Sequence, residues 1–353
     1  MKIASVVGAR PQFIKAAPVS REVRRHNVEI LIHTGQHYDE TMSDVFFEVL
    51  EIPRPDYNLG VGSGSHAVQT AEMMRGLEGV LEKEAPDLVL VYGDTNSTLA
   101  GALVAAKRHV PVGHVEAGLR SFNRTMPEEI NRVMSDHLSE LLFCPTQTAV
   151  DNLRREGITK GVHLVGDVMY DVALHSAQAA RGRDIVERLG LRPGDYVLVT
   201  LHRPGNVDDR ETLRGIVDAL VRCGRPVVFP VHPRTRKNLE AFGLWEALRG
   251  KVTAIDPVDY LDFLALLMKA QKVATDSGGV QKEAYFFGVP CVTLRDETEW
   301  IETVEVGWNA VVGTETEDIL HAIANFNPTG TKAKSFGDGH AAERIARILE
   351  TAG

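Results

Sequence analysis

Short β-branched apolar runs alternate with longer helix-patterned segments along the whole chain, and this alternation constrains the fold more than any other feature. In the first half the runs are Ile3–Val7, Val28–Ile32, Leu88–Val91, Val112–Val115, Leu141–Cys144 and Val162–Val165. In the second half they are Tyr196–Leu201, Val227–Val231, Val252–Ile255, Val273–Thr275, Cys291–Leu294 and Ala310–Val312. Continuous apolar strands separated by helices are the pattern of β-α-β units, in which a parallel sheet is covered on both faces. Six runs on either side of the middle predict an α/β chain of two Rossmann-like, doubly wound domains. With 353 residues there is room for both.

The expected boundary lies near Asp167–Asp171, giving an N-terminal domain over 1–168 and a C-terminal domain over 169–335. Residues 332–339 are rich in Gly, Lys and Ser and lead into a last helix from Ala341. The expectation is that this segment, 340–353, crosses back to pack on the first domain.

Ligands of open parallel sheets bind beyond the carboxyl ends of the strands, and unusual chemistry gathers at those ends here. Gly8-Ala9-Arg10-Pro11 leaves the first run, with Lys15 about one turn into the following helix. Two cations near a helix N-terminus oppose its dipole unless an anion is bound there; the bland alternative is a solvated loop. Asp276-Ser277-Gly278-Gly279 follows the fourth run of the second half, with Glu283 one turn further. Its paired glycines let backbone amides approach a phosphate, although the spacing is neither that of a P-loop nor G-x-G-x-x-G. His202 and Arg203 stand at another strand end, and His232 repeats the theme more weakly. Two such sites, one per half, point to two nucleotide-binding halves closing on one phosphate-bearing ligand.

Three carboxylates sit among these apolar runs. Asp94 lies in Gly93-Asp94-Thr95-Asn96-Ser97, which has more capping residues than one helix needs. His114 and Glu116 alternate with their apolar neighbours and so are expected to share a face; a structural ion pair with Arg120 or Arg124 is the alternative for Glu116. Glu128 follows Pro127 in a helix start and is four residues from Arg132, so the two can face the same way, although dipole stabilisation alone gives the same pattern. Phosphate binding combined with such carboxylates points to acid–base chemistry on a nucleotide-linked substrate.

Composition excludes other classes. Lys plus Arg total 39 against 48 Asp plus Glu, a net charge of −9 without a basic run, which argues against nucleic acid or an anionic membrane as partner. No stretch approaches the ~20 apolar residues of a membrane span, and Ile3–Val7 is too short for a secretory leader. Cys144, Cys223 and Cys291 form no C-x-x-C pair and read as small hydrophobes in a reducing compartment. The expectation is a cytoplasmic protein. His33 and His37 are four apart, but they leave a strand rather than line a helix, so no metal is expected.

Taken as an ordered set, Gly8–Lys15, Gly93–Thr98, His114–Arg120, Pro127–Arg132, His202-Arg203, Asp276–Glu283 and Arg295–Trp300 resemble the non-hydrolysing UDP-N-acetylglucosamine 2-epimerases. The resemblance runs from Met1 to about Ala346. It implies two Rossmann-like domains in a GT-B-like arrangement, no cofactor, no metal and a homodimer. It implies that UDP is eliminated across C1–C2 of the sugar to give 2-acetamidoglucal and then re-added. By motif position Asp94, Glu116 and Glu128 fall on the catalytic carboxylates, and His202 and Arg132 on assisting positions. Arg10, Lys15 and Ser277, Gly278 and Gly279 fall on diphosphate contacts, and Phe263 and Glu283 on uracil and ribose contacts. Arg10-Pro11-Gln12 and Thr298-Glu299-Trp300-Ile301-Glu302 look more like the subgroup acting on UDP-2,3-diacetamido-glucuronate. A GT-B glycosyltransferase, a hydrolysing epimerase and a non-catalytic nucleotide-sugar binder are the rival readings. Gln36–Glu40 and Gly62–His66 lack the arginine of an activator site, so kinetics without an obligatory activator are expected.

Overall fold

The computed structural model describes residues 1–36 and 53–352. The chain divides into two compact units, Met1–Leu174 with Lys334–Gly353, and His175–Ala333.

The first unit holds a seven-stranded sheet: β1 (Lys2–Val7), β2 (Val28–His33), β3 (Tyr57–Asn58), β4 (Leu88–Tyr92), β5 (Val112–Val115), β6 (Leu141–Cys144) and β7 (Val162–Leu164). Their order is β3-β2-β1-β4-β5-β6-β7, and every pairing is parallel. The second unit holds β8 (Val197–Thr200), β9 (Val227–Pro230), β10 (Thr253–Ile255), β11 (Lys272–Thr275), β12 (Cys291–Thr293) and β13 (Asn309–Val311). They lie in the order β10-β9-β8-β11-β12-β13, again all parallel.

Both sheets reverse their direction of growth once, between β1 and β4 and between β8 and β11. Loops leaving the two strands at such a point part to opposite faces and open a crevice at the carboxyl edge. Hydrophobic burial fixes the strands that form it. Ala4, Val6, Val89 and Val91 are fully buried against Met73, Leu77, Ala100 and Ala102 from the covering helices. Val197, Val199 and Ala274 are fully buried in the second core with Leu213, Ile216 and Val292.

The six runs expected in each half all become strands; β3 is the addition. It is two residues long and pairs with the edge of β2. No apolar run announces it. The helix Ala341–Ala352 packs on the helix Arg10–Val23 within the first unit. Asp171 caps it, accepting from the amides of Ala341 (3.1 Å) and Ala342 (2.8 Å).

Among the described residues no helix is long and apolar enough to cross a membrane. Cys144, Cys223 and Cys291 are all free thiols. Burial pushes the Cys291 thiol up to about 12 and also raises that of Cys144.

Candidate active site

In the first unit, Gln12 ties the two strand ends of the switch point together. Its Oε1 accepts from the amides of Gly8 (2.8 Å) and Ala9 (3.1 Å) just after β1. Its Nε2 donates to the Tyr92 carbonyl (2.7 Å) at the end of β4 and to Thr98 Oγ1 (3.1 Å). All four bonds need one acceptor and one donor end, so an amide fits where a carboxylate would face a carbonyl. Arg10 begins the helix beyond this clasp and is half-buried. Lys15, in the second turn of the helix, pairs with the carboxylate of Glu116.

Glu116 follows β5 directly, and its backbone is left-handed at φ 71°. That conformation is uncommon for a residue with a side chain and is held here by bonds from the amides of Glu116 and Ala117 to the Phe143 carbonyl, both 3.1 Å. Strand alternation therefore stops at Val115. His114 and Glu116 do not share a face of a continuing strand. The partner of Glu116 among the cations is Lys15, whereas Arg120 turns to Asp136 and Glu156. Gly93, at φ 63°, sits beneath the pair: a Cβ there would lie 3.0 Å from Lys15 Nζ and 3.3 Å from Glu116 Oε2.

Asp94 comes next in the chain, half-buried at the carboxyl end of β4. Its Oδ2 accepts from Arg132 Nη2 at 2.6 Å, and its carbonyl accepts from Asn131 Nδ2 at 3.0 Å. Arg132 also reaches Glu129 at 3.2 Å. Glu129 in turn accepts from the amides of Ser121 (2.9 Å) and Phe122 (3.0 Å). The four-residue spacing of Glu128 and Arg132 does not become an ion pair. Arg132 pairs with its i−3 neighbour Glu129, while Glu128 is exposed and has no hydrogen bond or ion pair among the described residues. Glu128 is not one of the carboxylates in apolar surroundings; Glu129 is. The loop at 121–122 selects between them, because its two amides need a buried acceptor.

In the second unit, Asp276 clasps the switch point. It is fully buried just after β11. It accepts from the amides of His202 (3.1 Å) and Arg203 (3.0 Å), from Asn206 Nδ2 (3.3 Å) and from the His202 ring (Nδ1, 3.2 Å). Burial alone would raise this carboxyl. The His202 ring and the two amides outweigh that push and hold it below the usual carboxylate range. His202 is exposed beyond this bond, and its ring centroid lies 6.1 Å from that of His232.

Ser277 occupies the N-cap of the helix Gly278–Phe287, but its side chain does not cap it. The first-turn amides at Gly278 and Gly279 are therefore not satisfied by Ser277, as an anion site requires. A Cβ on Gly278 would lie 2.5 Å from Glu299 Oε1, so the Glu299 side chain would have to move aside. Glu283 is buried and accepts from Tyr260 Oη at 2.9 Å; Phe263 lies half-buried on the helix Tyr260–Met268 that carries Tyr260. Trp300 is nearly fully buried, with the Lys282 ammonium 3.9 Å from its ring centroid.

The first unit thus brings together Lys15, Asp94, Glu116 and Arg132, with Arg10 heading the same helix as Lys15. The second groups His202 and Ser277–Gly279 around the β8/β11 reversal. Sequence reasoning missed Asp276, Glu129 and the clasping role of Gln12. For Asp276 the available signal was its place as the first residue after a strand at the switch point. His33 is buried, its ring edge-on to Phe13 at 5.0 Å, and burial lowers its pKa. His37, Tyr38, Asp39 and Glu40, on which the histidine-pair and activator readings rest, lie outside the described residues.

Residues 21–350 match the family model described as UDP-N-acetylglucosamine 2-epimerase. The chain belongs to the UDP-N-acetylglucosamine 2-epimerase family. One relative, a UDP-N-acetylglucosamine 2-epimerase homolog of Methanococcus maripaludis, is 54% identical, with 99% of each chain covered. Another, the UDP-2,3-diacetamido-2,3-dideoxy-D-glucuronate 2-epimerase of Pseudomonas aeruginosa, is 50% identical over 99% of each chain. Among solved structures, the UDP-GlcNAc 2-epimerase of Methanocaldococcus jannaschii in complex with UDP-GlcNAc and UDP aligns at a TM-score of 0.90 with 46% identity, covering 100% of both chains.

Membership accounts for the paired parallel sheets, since the GT-B-like fold of these epimerases runs the length of the alignment. It leaves the sugar open within the family. The relatives at 54% and 50% identity carry names of different substrates.

Proposed function

We propose that the protein catalyses reversible C2 epimerisation of UDP-N-acetylglucosamine to UDP-N-acetylmannosamine. The observation that carries the reading is the pair of carboxylates at adjacent strand ends, Asp94 and Glu116, each ion-paired to its own cation in a chain that aligns end to end with epimerases. Ion-paired carboxylates at a sheet's carboxyl edge are acceptors placed for a proton.

The C2 proton of the substrate is not acidic, so direct removal and return is slow. In the proposed course a carboxylate takes the C2 proton while the C1–O bond breaks, releasing UDP and leaving 2-acetamidoglucal. A second group then returns a proton to the opposite face of C2 as a UDP oxygen re-forms the bond at C1. Atoms balance and nothing is oxidised. Asp94, Glu116 and Glu128 are the proposed proton-transfer groups, Glu128 being the exposed one. Arg132 is proposed to orient Asp94.

In the second unit, His202, oriented by Asp276, and the amides at Ser277–Gly279 are proposed to hold the departing diphosphate, together with Arg10 and Lys15. Glu283 and Phe263 are proposed for the ribose and uracil. A cytoplasmic homodimer is the proposed working form. The domain limits proposed from sequence, 1–168 with 340–353 and 169–335, serve as boundaries for expression trials.

The relative at 50% identity favours a second reading, the same chemistry on UDP-2,3-diacetamido-2,3-dideoxyglucuronate. Incubation of the protein with each UDP-sugar in D2O, followed by proton NMR, tests both. Deuterium at C2 with UDP still attached supports the reaction, and the faster sugar identifies the substrate. Free N-acetylmannosamine with UDP would instead mark a hydrolysing enzyme. No exchange on either sugar would refute the proposal.

A further inference from the structure

His114 is fully buried, yet both of its ring nitrogens face acceptors. Nε2 lies 2.7 Å from the Gly93 carbonyl and Nδ1 lies 2.7 Å from Asp136 Oδ1. A carbonyl only accepts, so Nε2 carries a proton. Asp136 also accepts from Arg120 Nη1 (2.7 Å) and the Gly118 amide (3.1 Å), as an ionised carboxylate does. Burial would raise the Asp136 carboxyl, but the His114 ring and the Arg120 guanidinium outweigh it and hold it low. With a carboxylate at Nδ1 and a carbonyl at Nε2, the ring bridges two acceptors, one on each side.

The chain of charges continues outward. Arg120 grips Glu156 with two bonds of 2.7 Å, and Glu156 is partly exposed. Ring, carboxylate, guanidinium and carboxylate are joined in one hydrogen-bonded chain, which is how groups of this kind are tolerated in an interior. That pairing does not explain why the inner end of the chain terminates on Gly93. The register of β4 against β5 is already secured there, since the Gly93 amide donates to the Val115 carbonyl at 3.0 Å. His114 acts on the next group along, the carbonyl of the 93–94 peptide. The orientation of that peptide sets the direction in which Asp94 leaves the strand. The same Gly93 supports Lys15 and Glu116 on its Cα side.

We propose that His114 is a positioning residue for proton transfer: it clamps the Gly93 carbonyl and so fixes Asp94 on one side and the Lys15–Glu116 pair on the other. The proposal rests on the reading that Asp94 and Glu116 move protons. Loose clamping misplaces the reacting groups without removing any of them, and a misplacement of about 1 Å costs on the order of 100-fold in rate.

The test compares three variants of the full chain by C2 deuterium exchange on the faster UDP-sugar, UDP calorimetry and thermal unfolding. His114→Phe keeps a ring and loses both donors; kcat falls about 100-fold while KM and UDP affinity stay within about threefold. His114→Gln, whose amide can still donate to Gly93, recovers kcat to within about tenfold of wild type. Glu156→Gln loosens the outer end of the same charge chain; it lowers the melting temperature and leaves kcat within about twofold. A folded His114→Phe protein with wild-type kcat overturns the proposal. So does a Glu156→Gln protein whose kcat falls as far as that of His114→Phe, because the network would then act through stability alone. If His114→Phe does not fold, His114→Leu, which also removes both donors, takes its place, and wild-type kcat in that folded variant overturns the proposal. Wild-type protein that exchanges neither sugar refutes the proposed reaction and this role with it; active wild-type protein with unaffected His114 variants refutes this role only.

Discussion

Gly93→Ala separates the geometry of the first unit from its stability. Gly93 is left-handed, a conformation that costs a residue bearing Cβ about 1–2 kcal/mol. The new methyl would also lie 3.0 Å from Lys15 Nζ and 3.3 Å from Glu116 Oε2, so the ion pair must give way by a few tenths of an ångström. Both side chains end in flexible groups, so this second cost in stability is small, and about 2 kcal/mol in total leaves a domain of ordinary stability folded. The kinetic cost is different in kind. If Glu116 transfers a proton, its carboxylate has been pushed off its working position, and about tenfold or more in kcat is lost. Urea unfolding gives the stability change, UDP calorimetry gives binding, and C2 exchange in D2O gives the rate. The expected pattern is a modest loss of stability, UDP affinity weakened by no more than about threefold through Lys15, and a clear loss of kcat. A stability loss of the expected size with wild-type kcat would refute the reasoning, because the Lys15–Glu116 pair would then lie outside the reacting geometry.

Asp94→Asn, Glu116→Gln and Glu128→Gln are each expected to fold and bind UDP but to lose about 100-fold or more in turnover; near-wild-type turnover in any one removes that residue from the mechanism. His202→Ala weakens both UDP binding and rate, measured by calorimetry and exchange at neutral pH. Asp276→Asn leaves an amide nitrogen facing N–H donors and lowers the stability of the protein by about 3 kcal/mol at pH 7 in urea unfolding. The wild-type Asp276 carboxyl is held low, so its contribution is present above 3.8 and is lost as pH falls through its folded value, and the variant lacks that acid-side loss. Asp171 has the opposite sign: burial raises it from 3.8 to about 6 against the two amides it caps. Its folded form holds the proton more tightly, so stability falls as pH rises across that window, by up to about 3 kcal/mol. In Asp171→Asn that slope is absent, which urea unfolding between pH 4 and 7 reads directly.

The strands were legible because parallel sheets bury both faces. Val89–Val91 and Val197–Val199 read as continuous apolar runs, as strands covered on both faces need. Tyr57–Asn58 was not legible, since a two-residue edge strand has no core to fill. The rule that ligands bind beyond strand ends singled out Asp94 and His202, and the structure places both just beyond a strand's carboxyl end. Partners were beyond reach where they depend on distant backbone. Lys15 and Glu116 are about a hundred residues apart, and their meeting depends on a left-handed turn at Glu116 that an alternating strand pattern does not foresee. Which of Glu128 and Glu129 is buried turns on one helical step. The buried one, Glu129, accepts from two loop amides at 121–122 whose position only the folded chain supplies.

The two switch points are clasped by opposite chemistries, and the difference follows from what each strand end presents. In the first unit the clasp is Gln12, a neutral amide satisfied on both sides by backbone and hydroxyl groups. A charged clasp there would lie among Arg10, Lys15, Asp94 and Glu116 and would disturb the pairing on which their charges depend. In the second unit the clasp is Asp276, buried and ionised, and it reaches the ring of His202 as well as the amides that fix the turn. A carboxylate at Nδ1 of the imidazole fixes which nitrogen faces outward. The neutral clasp therefore leaves the first unit's carboxylates to their own cations, as proton transfer requires. The anionic clasp orients the His202 ring in the same unit as the helix start at Gly278, which Ser277 leaves uncapped by its side chain, as the proposed phosphate contact needs. One topological solution, repeated in two sheets, is thus given two charge states at a single residue each. Under the proposed reaction those two states correspond to the two tasks of moving a proton and holding the leaving group.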